Sequence, residues 1–216
     1  LPPKKPTRDD RIKHASRRRR KEDRAQLRQE ILDAASQLFM ERGYESFSLR
    51  EVAEKIGYSP GTIYLYFDNK DDILFTLADE GFQRFTNDLE TAVASADTPS
   101  DRLQKLGEAY VAFAHRNPTH YRLMFIERTD FMLRKTERDG ESWEESFVIL
   151  RQVVDECLAA GVLRSGDPAA ISDALWAVLH GVVALGITMP NFDAERVKNA
   201  VEVAFEMIGR GIFTQF

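Results

Sequence analysis

Residues 43–70 read GYESFSLREVAEKIGYSPGTIYLYFDNK, and this stretch decides the fold. Ser48 followed three positions later by Glu51 is the S-x-x-E capping box: the hydroxyl takes the backbone N–H of Glu51 while the carboxylate reaches back. The box opens a short helix whose apolar side is Leu49, Val52, Ala53 and Ile56. Gly57 supplies the positive backbone angle of a tight interhelix turn, and Ala53 is small enough to let two helices approach closely. Ser59 and Pro60 then start another helix, Ser as cap and Pro at the first position, where a missing N–H costs nothing. That helix is very short and ends near Phe67. Asn69 caps the next one, beginning at Lys70, with Asp71 and Asp72 at the positive end of its dipole.

Helical periodicity continues on both sides. Upstream, Leu27, Ile31, Ala34, Ala35, Leu38 and Phe39 form one apolar stripe that Gly43 can close in a left-handed cap. Downstream, Ile73, Leu77, Phe85 and Leu89 mark a long fourth helix, ended by the polar stretch Ser95 to Asp101. Further helical segments fall at roughly 101–116, 119–136, 142–160, 168–189 and 194–211, separated by Asn117-Pro118, Asp139-Gly140, Gly161 to Pro168 and Pro190-Asn191. No strand-like alternation persists long enough to suggest a sheet, so the expected class is all-α, with about nine helices.

The 216 residues hold 30 Lys plus Arg against 35 Asp plus Glu, a net charge of -5 that on average argues against a polyanionic partner. Position reverses the argument. Residues 1–28 contain 12 bases and four acids, for +8, so the remaining residues carry -13. A basic end with the run Arg17, Arg18, Arg19 and Arg20 precedes an acidic body. The single Cys157 excludes an internal disulfide, and the charged N-terminus has no apolar stretch behind it, so a cytoplasmic protein without a signal peptide is expected. Ala174 to Phe192 is free of Asp, Glu, Lys and Arg for 19 residues, long enough to weigh as a membrane span. Gly181, Gly186 and Pro190 within it, and charges on both flanks, favour a buried interface helix over membrane insertion.

Three helices with a glycine-containing turn between the second and third have the layout of a helix-turn-helix unit, whose second paired helix enters the DNA major groove. The segment Gln29 to Leu77, above all Gly43-Tyr44, Ser48 to Ala53 and Ile56 to Lys70, closely resembles the N-terminal domain of TetR-family transcriptional regulators. The resemblance implies DNA contact by Arg50, Thr62, Tyr64, Tyr66 and Lys70, with Ile63 and Phe67 in the core. The residue chemistry agrees. Ser59, Gly61 and Thr62 present hydroxyls and backbone N–H groups at a helix start, and Tyr64 and Tyr66 diverge so that one can face a phosphate and the other a base edge. Arg50 has a plainer reading as a solvated partner of Glu54, as the tyrosines have as core aromatics. The arginines at 17–20 read either as a solvated tail or as an arm reaching phosphates or the minor groove.

Beyond residue 85, Trp176, His180 and Gly181, together with Asn117-Pro118 followed by Tyr121, Met124 and Phe125, resemble one branch of TetR C-terminal domains. Family membership implies an effector pocket and a homodimer formed by the last two helices. The candidate effector-binding residues are Tyr110, His120, Tyr121, Met124, Trp143, Trp176 and His180, an aromatic and Met-rich set suited to a small apolar or aromatic effector. Val197, Val201, Ala204, Phe205 and Ile208 are expected to join Ala174 to Ile187 in a four-helix dimer interface. The domain organisation is then 1–24 a basic flexible arm, 25–85 the helix-turn-helix domain, and 86–216 the effector-binding and dimerisation domain.

The expected function is a ligand-released repressor on a palindromic operator. A ligand-independent architectural DNA-binding protein is the alternative, and a helical enzyme a distant third. Gly57-Tyr58-Ser59-Pro60-Gly61 matches G-x-S-x-G literally, but that nucleophile elbow needs a preceding strand, and Pro60 removes the N–H of the oxyanion hole. His115, His120, His180 and Cys157 fall on separate segments without metal-ligand spacing, so no enzyme, metal or cofactor is expected.

Overall fold

The computed structural model describes residues 8–127 and 142–214. Its helices are α1 Arg8–Arg42, α2 Leu49–Ile56, α3 Pro60–Ile63, α4 Lys70–Ala94, α5 Pro99–Arg116, α6 Pro118–Arg122, α7 Ser142–Ala159, α8 Pro168–Thr188 and α9 Ala194–Ile212. A π-helical turn, Leu123–Glu127, continues α6. Among the described residues the only extended pairing is an isolated bridge between Leu163 and Phe213, so the all-α class holds.

The helix boundaries follow local chemistry. Gly43 and Gly57 take φ of 75° and 76° and close α1 and α2. At the second of these, Tyr58 N–H donates to Ala53 and Gly57 N–H to Glu54, at 2.9 and 3.3 Å, which satisfies carbonyls left open by the helix end. The capping box forms in both directions, with Ser48 N–H 2.9 Å from Glu51 Oε2 and Glu51 N–H 3.4 Å from Ser48 Oγ. Ser59 caps α3, Asn69 Oδ1 accepts from Asp72 N–H at 2.9 Å, and Asp167 and Asp193 cap α8 and α9.

The chain divides into two units at Leu74/Phe75. In the first, Ile31, Leu32, Ala35 and Phe39 of α1 are fully buried with Val52, Ala53, Ile63 and Ile73. In the second, Phe82, Phe85 and Leu89 of α4 pack with Leu103, Leu106, Tyr110 and Phe113 of α5, Val153 and Val154 of α7, and Leu175 and Leu179 of α8. The division falls earlier than residue 85 because Ala78, Phe82 and Phe85 belong to this second core.

Residues 8–24 form the first turns of the continuous 35-residue α1. Arg, Lys and Glu are good helix formers, and the Arg18–Glu22 pair at 3.1 Å adds an i,i+4 contact. Part of the α9 stripe packs on its own chain. Ala204 is buried in the second core, with Phe205 and Ile208 packed against that core, while Val203 and Met207 point outward. On α8, Val178 and Leu185 are exposed, and Leu175, Leu179 and Val183 are buried. This helix is long and apolar enough to cross a membrane by length and composition alone.

Candidate nucleic-acid interface and effector cavity

The candidate DNA-contacting residues of the first unit sit on a surface built by capping and turn geometry. Ser59 Oγ lies 3.3 Å from Thr62 N and 3.0 Å from Thr62 Oγ1, so these two hydroxyls organise each other. Only four residues of α3 are helical, but Leu65 N–H to Thr62, Tyr66 N–H to Ile63 and Phe67 N–H to Ile63 carry the turn on to Phe67. Ile63 and Phe67 face the core, as expected, while Gly61, Tyr64 and Leu65 are exposed, the last two at 57% and 72%. Leu65 was not singled out from sequence. An exposed leucine beside an exposed tyrosine on a recognition element offers an apolar surface of the kind that contacts thymine methyls.

The cationic residues differ from one another. Arg50 is exposed and pairs with Glu54 at 3.1 Å, a solvated contact of little strength that leaves the guanidinium available to DNA. Lys70 is half-buried: its Nζ donates to the Tyr44 carbonyl at 3.0 Å and sits 4.0 Å from the centre of the Tyr44 ring. Tyr44 in turn donates to Asp71 at 2.6 Å. The Lys70 side chain therefore ties the start of α4 to the segment after α1, and a direct phosphate contact requires it to leave that seat. Tyr66 is half-buried beneath the Arg24 guanidinium, 5.5 Å from its ring centre, and Arg28 stands 5.1 Å over Phe67. Arg17, Arg18, Arg19 and Arg20 are all exposed.

The second unit encloses a cavity of about 810 Å3. Phe85, Leu103, Phe125, Phe147, Leu150 and Trp176 supply its apolar wall, and Glu108, Asp173, Glu202 and Glu206 its charged residues; no Lys, Arg or His is among the described residues lining it. Of the seven candidates, Tyr110 and Trp176 line it directly. Tyr121 and His180 stand one hydrogen bond behind. Trp176 Nε1 lies 3.2 Å from Tyr110 Oη, Tyr110 Oη 2.6 Å from Tyr121 Oη, and Tyr121 Oη 2.7 Å from His180 Nδ1. His120 and Met124 instead pack on α4, where a Cβ built on Gly81 would lie 2.7 Å from Met124 Sδ and 3.1 Å from His120 Cβ. The Trp143 side chain lies outside the described residues.

Phe125 and Phe147 are wall residues that sequence reasoning left among general apolar groups. Phe125 makes ring contacts with Phe82, Phe85, Tyr121, Trp176 and His180 at centroid distances of 5.0–6.4 Å. The π-helical turn places it there by shifting the angular phase of residues after Arg122, which a helical period read from sequence does not register. Burial governs the titratable groups: it pushes Tyr110 up to about 12, raises Tyr121, and lowers His180, which favours the neutral imidazole. Cys157 is pushed up to about 11 and its thiol donates to the Pro99 carbonyl at 3.1 Å, an inert structural position. The G-x-S-x-G match is preceded by α2 rather than a strand, and Ser59 is occupied as a helix cap.

Similarity to known proteins follows the same division. The family model described as bacterial regulatory proteins, tetR family, matches residues 31–77, and one described as tetracyclin repressor-like, C-terminal domain, matches residues 103–208. The fatty acid metabolism regulator protein of Bacillus subtilis (strain 168) is 36% identical over 137 residues, covering 63% of this chain and 71% of that protein. The HTH-type transcriptional repressor KstR of Mycolicibacterium smegmatis is 27% identical over 155 residues, 64% of this chain and 76% of that protein. Among solved structures, the fatty acid degradation regulator FadR from Bacillus halodurans shares the fold, with a TM-score of 0.71 at 22% identity over 84% of this chain and 93% of that one. With a helix-turn-helix head and a separate helical unit that holds a cavity, the chain belongs to the TetR family of bacterial regulatory proteins and is a DNA-binding transcriptional regulator.

Proposed function

We propose that this protein is a cytoplasmic repressor that binds a palindromic operator as a homodimer and is released by a small apolar or aromatic effector, without metal, cofactor or catalysis. The observation that carries the reading is the pairing, in one chain, of an exposed Tyr64-Leu65 surface beside half-buried Thr62 with a largely apolar cavity in the other unit. Arg50, Ser59, Gly61, Thr62, Tyr64 and Tyr66 read the operator, while Lys70 contributes mainly by bracing the start of α4. The outward apolar residues of α8 and α9, with Val203 at 53% and Met207 at 68% exposure, form the surface that a second copy covers. A Cβ added at Gly181 meets nothing within 4 Å, leaving room there for a partner helix, whereas Gly186 is already used against Val197 in the same chain. The dimer sets two recognition elements about 34–36 Å apart, one helical turn of DNA.

The cavity wall supports an uncharged, apolar effector body, since its lining offers carboxylates and no basic group to a buried anion. The names of the two fatty acid regulators among its relatives support an acyl-chain-like or flat hydrocarbon occupant. Release is linkage: a ligand that binds one conformation better shifts the dimer away from the spacing that fits the grooves, and a coupling of about 1–3 kcal/mol changes operator affinity about 5–150-fold. The test is a footprint on the DNA flanking the protein's own gene, repeated with apolar compounds while Trp176 fluorescence is followed. One protected palindrome, lost as a compound quenches Trp176, is expected. Uniform binding across sequences would instead identify a ligand-independent architectural protein.

A further inference from the structure

The run of four arginines before the head is a single block in sequence, yet the helix sorts it. At about 100° per residue, Arg17, Arg20, Lys21, Arg24 and Arg28 fall within an arc of about 100° on α1. Arg18, Arg19, Glu22 and Asp23 occupy the opposite side, where Arg18 pairs with Glu22 at 3.1 Å. One face carries five bases and no acid, and the other is charge-balanced, two against two. The basic stripe is about 16 Å long at 1.5 Å per residue. Its lower end does not stop in solvent. Arg24 lies over Tyr66 and Arg28 over Phe67, the residues that close the recognition element. From residue 16 to residue 26 the side chains are exposed, so none of the described residues covers the upper part.

A helix charged on every side buries no apolar face that would require it to form. A one-sided basic stripe continuous with a DNA-reading element matches the spaced negative charge of a phosphate backbone. We propose that the first turns of α1 are a second, rigid DNA-binding element, in which Arg17, Arg20 and Lys21 contact phosphates flanking the half-site that α3 reads, with Arg24 bridging the two contacts. This rests on the operator-binding reading above and extends it, because it assigns the flanking contact to one face of a helix rather than to a flexible basic arm.

The test compares two full-length variants on the same operator duplex: Arg17→Gln/Arg20→Gln/Lys21→Gln on the stripe, and Arg18→Gln/Arg19→Gln on the back. All five residues are exposed, and unchanged thermal unfolding verifies folding. With about 0.9 of salt slope per neutralised phosphate, the stripe variant should flatten the dependence of log affinity on log salt by about 2–3 per protomer. It should also lose hydroxyl-radical protection at the outer edges of the footprint and keep it at the centre. The back variant should leave slope and footprint unchanged. Equal flattening per charge by both variants, or none by either, overturns the stripe. If the unmodified protein protects no defined site, the operator reading itself has failed; if Arg50→Ala weakens binding while the stripe variant does not, that reading stands and only the stripe falls.

Discussion

The Tyr121 hydroxyl lies 2.7 Å from Nδ1 of His180, and this contact ties the histidine to a buried hydrogen-bond cluster. Trp176 Nε1–H can only donate, so it donates to Tyr110. Tyr110 Oη, Tyr121 Oη and His180 Nδ1 then form a mutual set of hydrogen-bond contacts at 2.6, 2.7 and 3.3 Å. Every hydroxyl along the chain is satisfied, which is what burying two tyrosine hydroxyls beside an apolar cavity requires.

Tyr121 is fully buried, so Tyr121→Phe removes the two short hydrogen bonds to Tyr110 Oη and His180 Nδ1 and leaves that pair only their own longer contact of 3.3 Å. A loss of about 1–3 kcal/mol is expected, the cost of leaving buried polar groups unmade, read from urea unfolding. A variant as stable as the parent would show that the chain is not needed for the fold.

Stability should depend on pH through His180. Burial lowers its pKa below the ordinary 6.5, so the unfolded chain takes up a proton more readily than the folded one. This contribution is complete above about 6.5 and is lost as pH falls through the window below it. Urea midpoints at pH 5.5 and 7.5 should therefore differ more for the parent than for His180→Asn.

Gly81→Val should destabilise the second unit by about 1–3 kcal/mol through overpacking, because the added Cβ meets Met124 Sδ at 2.7 Å. Combining it with Met124→Ala should recover part of that loss, since the two substitutions share one space. Strict additivity in a double-mutant cycle would mean that this contact does not limit how closely α4 and α6 approach.

Trp176 lines the cavity and touches the rings of Phe125 and Phe147. Trp176→Ala should weaken binding of an apolar probe at least tenfold while ligand-free operator binding persists. Trp176→Phe retains most of the ring packing and removes only the N–H given to Tyr110, so it guards against simple unfolding. Equal probe affinity in both variants and the parent would place the effector elsewhere.

Residues 43–70 carried the head in plain sight because its structure is made by near neighbours. Ser48 with Glu51, Gly57, Ser59 with Pro60 and Asn69 each act within four positions, and the helix ends fall where those residues stand. The breaks between later helices were legible for the same local reason. The helical state of residues 8–24 agrees with their helix-forming composition.

Side-chain destinations within the second unit were not legible. His120 and His180 look alike as polar residues among aromatics, yet one packs on Gly81 and the other ends the tyrosine chain. Phe205 reads as dimer stripe and instead seats within 3 Å of where a Gly107 Cβ would be. A stripe of period 3.6 states that a helix has an apolar face but not what covers it, and the π-helical turn at Leu123–Glu127 changes which residues face inward. By itself the sequence determined an all-α regulator with a helix-turn-helix head, because capping and turn chemistry are local. Only the tertiary structure decided which aromatics wall the cavity and which surface remains for a partner, because those depend on packing between residues up to about a hundred positions apart.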